Sequence, residues 1–155
     1  MQEVIYQDKP QLTLRHTLTE VPGEQWKASE LLEWAASRFP GDVRFACSFG
    51  AEDVVLLHLI ARGRLPIEVF YLDTGRLHQE TYDLIEKTRN RYGISIRAYF
   101  PDAQALGKMV AAKGPNSFYD SIENRKECCF LRKVDPLARA LQGAKVWVTG
   151  QRREQ

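Results

Sequence analysis

The sequence predicts an α/β domain: a parallel sheet with helices on both faces. Three observations carry that prediction. Short apolar runs alternate with longer segments of helical period. The apolar runs end in glycine-bearing or polar turns, as strands entering helices do. The 155 residues, 44% hydrophobic and 27% charged, suit a single domain with a sizeable core.

Taken in order, residues 1–23 contain Pro10, Pro22 and Gly23 and read as an irregular or short-strand lead-in. Leu31, Leu32, Ala35 and Phe39 recur at helical spacing, and Pro40-Gly41 stops that helix. "VRFAC" (43–47) reads as a buried strand, running through "SFGAED" into a helix that ends near Gly63. "IEVFYL" (67–72) is a second strand, followed by a turn and a helix ending at Gly93. "ISIRAYF" (94–100) is a third strand, and a short helix after Pro101 reaches about Lys113. A loop around 114–116 precedes a helix carrying "ECCFLRKVDPLARAL" to Leu141, with Pro136 as an early-helix residue or a kink. "KVWVTG" (145–150) is the fourth strand.

No apolar run approaches the ~20 residues of a membrane-spanning helix, and the N-terminus shows no secretory pattern. Three cysteines form no disulfide framework, so a reducing cytoplasm is expected. Residues 1–86 hold eight Lys or Arg against fourteen Asp or Glu, and residues 87–155 hold fourteen against six. A basic second half suits an anionic ligand. Without basic blocks interleaved with aromatics, nucleic acid is not expected.

In such sheets ligands bind beyond the carboxyl ends of the strands, which selects Ser48–Asp53, Asp73–Gly75 and Gly150–Arg153. In the first, Gly50 permits close backbone approach, Ser48 adds a hydroxyl, and the free amides of the helix start favour an anion. Asp53 and Glu52 complement the helix dipole there; a capped tight turn is the competing reading. In the second, Asp73, Thr74 and Gly75 offer hydrogen bonds to a base or ribose, or else form a helix entry capped by Thr74. In the third, Arg152 or Arg153 can grip phosphate or sulfate through a planar fork. Adjacent Cys128 and Cys129 are awkward ligands for one zinc, whereas a multi-iron cluster accepts both on different irons. Arg132 and Lys133 would stabilise thiolate charge; two inert buried thiols are the alternative. Cys47 reads as a small core residue, and His16, His58 and His78 as structural.

Together, "SFGAEDVVLLHLI", "LDTGRLHQETYDLI", "ECCFLRKVDPLARAL" and "VTGQRREQ" resemble, in order and spacing, the assimilatory sulfonucleotide reductases. These reduce adenosine 5′-phosphosulfate (APS) or 3′-phosphoadenosine 5′-phosphosulfate (PAPS). The resemblance runs from about residue 40 to the end. It implies a three-layer, adenine nucleotide alpha-hydrolase-like (PP-loop, Rossmann-like) fold. Phe49 and Ala51 stand where pyrophosphatases of that fold tend to have further glycines. It also implies that Ser48, Gly50 and Asp53 line the nucleotide pocket, that Asp73, Thr74 and Gly75 contact adenosine, that Arg152 and Arg153 hold the phosphosulfate, and that Lys133 lies between cluster and substrate. The double cysteine resembles the APS branch, where it joins a downstream CxxC in holding a 4Fe-4S cluster.

The implied reaction starts with thiolate attack on the substrate sulfur, leaving AMP and an S-sulfocysteine. Thiols of thioredoxin or glutaredoxin then release sulfite. In the family the nucleophile and the CxxC lie C-terminal to the motifs present here, so residues 1–155 are expected to be a truncated, inactive sulfonucleotide-binding domain. The alternatives are a PAPS reductase or a non-reductase PP-loop nucleotide-binding protein, and an oligomer is possible.

Overall fold

The computed structural model describes residues 25–152. The lead-in 1–23, His16 and Arg153 lie outside them. Helix α1 (Ala28–Arg38) leads into β1 (Val43–Ala46), α2 (Ala51–Arg62), β2 (Glu68–Leu72), α3 (Gln79–Tyr92) and β3 (Ile96–Tyr99). Then come α4 (Ala103–Lys113), a single 3-10 turn (Ser117–Tyr119), α5 (Ile122–Cys129), a π-turn (Phe130–Val134), α6 (Asp135–Leu141) and β4 (Val146–Val148).

All strand pairs are parallel, in the order β3-β2-β1-β4. The alternation of side chains along each strand divides the sheet into two faces. Val43 and Phe45 of β1 and Val69 of β2 pack with Leu32, Ala35 and Ala36 of α1, Leu57 and Ile60 of α2, and Ile85 of α3. Phe70 and the neighbouring Ala46 and Leu72 pack with Ala140, Leu141 and Leu137 of α6 on the other face. This is the expected three-layer arrangement. A smaller cluster joins Met109 of α4 to Cys128 and Leu131 of the double-cysteine segment.

Strand β1 lies between β2 and β4, so the chain leaves it in one direction and returns on its other side. The carboxyl ends of β1 and β4 therefore flank a topological switch point, where open α/β sheets form their ligand crevice.

Several boundaries differ from expectation for local reasons. Helix α3 starts at Gln79 with His78 as its N-cap residue. Thr74 is not its cap: its Oγ1 accepts the Arg76 amide within a tight turn, at 3.2 Å. Strand β4 stops at Val148, and beyond it Gly150 lies against Asp53. The long C-terminal helix is interrupted by the π-turn, in which the Asp135 amide bonds the Phe130 carbonyl, five residues back. Pro136 explains the change of ladder, since it has no N–H to return to the Arg132 carbonyl.

Candidate functional site

The loop after β1 is closed by Asp53, which is 7% exposed. Its Oδ2 accepts the Ser48 amide at 2.5 Å and the Ser48 hydroxyl at 2.6 Å. Asp53 thus shapes the loop from behind, and Ser48 is the residue on its exposed side. Gly50 is the N-cap residue of α2 and is exposed, and no side chain caps that helix start. Phe49, between them, has φ 63°, in the left-handed region, and is nonetheless buried.

The loop after β2 is closed in the same manner. Asp73 is buried, and its Oδ1 accepts the Gly75 amide and the Tyr82 hydroxyl, both at 2.9 Å. That bond pushes the Tyr82 hydroxyl above its ordinary value. Burial does the same to Tyr71, with the Asp73 charge adding to it. Gly75 takes φ 68°, which its lack of a Cβ allows. Beyond it, Arg76 bonds the Pro115 carbonyl and Asn116 Oδ1 and stacks over Phe118, fastening this loop to the 3-10 turn.

Cys128 and Cys129 end α5 on neighbouring helical positions. Cys128 is buried and Cys129 exposed. One turn further, Arg132 is buried and Lys133 exposed, so each cation shares a face with one thiol. Arg132 Nη1 donates to the Thr74 carbonyl at 2.5 Å. Sequence reading placed Arg132 beside the thiols as a charge; the fold makes it a tie to the second loop.

These pieces meet around a cavity of about 270 Å³ at the carboxyl ends of β1 and β2. Ser48, Thr74 and Lys133, one from each of three motifs, line it. Phe49, Tyr71 and Leu77 supply apolar wall, Phe49 meeting Tyr71 edge-on at 6.1 Å between ring centroids. Sequence reading missed these three as lining. The signals were present: an aromatic inside a polar loop, a tyrosine sharing the Val69 face of β2, and an isolated leucine in a polar turn.

Cys47 follows β1, its amide on the Phe70 carbonyl at 2.8 Å, and is buried as expected, though it also touches the cavity. His58 pairs with the Tyr92 hydroxyl at 3.0 Å, a packing role. Arg152 lies apart from the cavity: its Nε pairs with Glu52 at 3.1 Å, beside an apolar groove between α1, α2 and β4.

Residues 42–155 match the sequence model of the phosphoadenosine phosphosulfate reductase domain. The chain belongs to that family. It is 51% identical over 113 residues to an adenosine 5′-phosphosulfate reductase of Burkholderia cepacia, covering 73% of this chain and 45% of that protein. It is 47% identical over 135 residues to the enzyme of the same name from Allochromatium vinosum, covering 87% and 52%. The fold superposes on a phosphoadenylyl-sulfate (PAPS) reductase of Candida auris, solved as a phosphate complex, with a TM-score of 0.71 and 26% identity. That match covers 83% of this chain and 63% of the other. The chain thus spans about half the length of the curated relatives.

For a family member with a double cysteine, the fit of an iron–sulfur cluster can be tested on the donor set. Thiolates at Cys128 and Cys129 are right in kind. They fall short in number: among the described residues no group of three or more His, Cys, Asp or Glu converges on a point, and a cubane cluster takes four protein ligands. No helix among the described residues is long and apolar enough to cross a membrane.

Proposed function

We propose that this chain is the sulfonucleotide-binding portion of a thioredoxin-dependent adenylyl-sulfate reductase, an oxidoreductase of sulfate assimilation and cysteine biosynthesis. The product chemistry is APS to sulfite and AMP. The observation that carries the reading is the cavity where Ser48, Thr74 and Lys133 converge against an apolar wall.

In this reading the adenine lies against Phe49, Tyr71 and Leu77, and the loop Asp73–Gly75 meets the nucleoside. The amides after Gly50 and the Lys133 ammonium face the phosphosulfate. Asp53 acts through Ser48. Arg152, and with it Arg153, serves the sulfate end, for which Arg152 exchanges its bond to Glu52. Cys128 and Cys129 supply two ligands of a 4Fe-4S cluster, the other thiolates coming from outside residues 1–155, whose remaining cysteine is the buried Cys47. None of the described cysteines is assigned as the nucleophile: burial pushes the Cys47 thiol up to about 12, far from a thiolate at neutral pH. Electrons come from thioredoxin or glutaredoxin thiols, in the cytoplasm. The APS branch is favoured over PAPS by the double cysteine.

Calorimetric titration with AMP, APS, PAPS and ATP tests the reading. APS and AMP are expected to bind, and K133M and S48A to weaken both. Magnesium-dependent release of pyrophosphate from ATP would instead support a non-reductase PP-loop protein, and preference for PAPS the other reductase branch.

A further inference from the structure

Arg132 has an unusual position for a guanidinium. It is 8% exposed, and among the described residues it makes no ion pair and its Nε has no hydrogen-bond partner. A buried cation is costly unless its donors and its charge are met. Its one described bond runs to the Thr74 carbonyl, and a Cβ at Gly75 would stand 3.4 Å from Nη1. Thr74 lines the cavity. At its other end Arg132 is fixed in the π-turn, one turn from Cys128, whose side chain packs with Leu131 and Met109.

We infer that Arg132 is a positioning residue through which occupation of the cavity is felt at the double-cysteine turn. The inference rests on the nucleotide reading above. An anion entering the cavity brings negative charge to a buried cation that has no counterion among the described residues, and seats the loop that cation holds. Both effects tighten the turn that carries Cys128 and Cys129, so the two regions share one coupling free energy. Geometry alone establishes proximity; coupling needs its own measurement.

Hydrogen exchange followed by mass spectrometry, with and without saturating AMP, provides it. In the wild-type chain AMP is expected to slow exchange of residues 73–77 and of 126–134, the latter roughly fivefold or more. R132M is expected to keep the first effect and lose the second, with R132K between them. K126M is the control: it removes an exposed cation from the same segment, away from the cavity lining, and retains both effects. If R132M proves unable to fold, R132K alone decides, by a smaller response at 126–134 than at 73–77. Undiminished slowing at 126–134 in the Arg132 variants, or none in the wild type, overturns the inference while the nucleotide reading stands. Failure of the wild-type chain to bind AMP or APS overturns the nucleotide reading and takes the inference with it.

Discussion

Gly150 rests against Asp53 with no space for a side chain: a Cβ there would overlap the carboxylate, and the Asp53 amide nitrogen lies 3.3 Å from the same point. The end of β4 thereby backs the carboxylate that closes the first loop.

G150A must push Asp53 off Ser48 or move the end of β4. A loss of about 1–3 kcal/mol in urea unfolding is expected, the usual size of overpacking, together with weaker AMP binding. In a D53S background the same change should cost less, because the obstruction is gone. Equal costs in both backgrounds would dissociate the two residues.

Phe49 sets two magnitudes against each other. Its left-handed backbone, φ 63°, costs on the order of 1–2 kcal/mol. Losing a buried phenyl ring costs about 3–5 kcal/mol. F49G is therefore expected to be less stable than wild type by roughly 2 kcal/mol, taking the difference of those two ranges, and to bind adenine nucleotides more weakly. A variant more stable than wild type would show that the strain dominates.

Stability should fall in alkali, beginning with Cys47. Burial raises its thiol from 9.0 to about 12, the Asp53 charge adding a little and a main-chain hydrogen bond from Phe49 opposing. The folded value lies above the unfolded one, so this contribution is complete below pH 9 and is lost as pH rises toward 12. Tyr71 and Tyr82, raised from 10.0, add the same sign only above that. Urea unfolding from pH 8 to 10 should slope downward in wild type and flatten in C47S. Alkylation of the native chain at pH 8 should mark exposed Cys129 and spare Cys47.

Iron binding should depend on the paired thiols. After anaerobic reconstitution with iron, sulfide and an exogenous thiol to complete the ligand set, iron retained by the chain is expected to drop to background in C128S/C129S and to be unaffected by C47S. The reverse pattern would remove the pair from the ligand set.

The short apolar runs "VRFAC" and "IEVFYL" made the buried strands legible, because a strand covered by helices on both faces carries apolar side chains on both. Ser48, Gly50 and Thr74 were legible in turn as strand-end residues. Partners across the fold were not. Nothing local tells that Glu52 will hold Arg152, or that Arg132 will be drawn inward to a carbonyl of another loop, since both depend on how the helices cross the sheet. The competing reading of the second loop, a helix entry capped by Thr74, fails because the turn before His78 is held by Arg76 and its contacts with residues 115–118. The π-turn was only half visible: Pro136 marked an irregularity, without saying that the chain would absorb it by widening one turn.

That widened turn fixes where this protein tolerates insertion and deletion. In a helix each residue added or removed rotates everything beyond it by ~100°. Shortening 130–134 by one residue would carry α6, with Ala140 and Leu141, off the face of Phe70 or swing the thiols away from their cations. Between Cys129 and Pro136 the spacing is as constrained as the residues themselves.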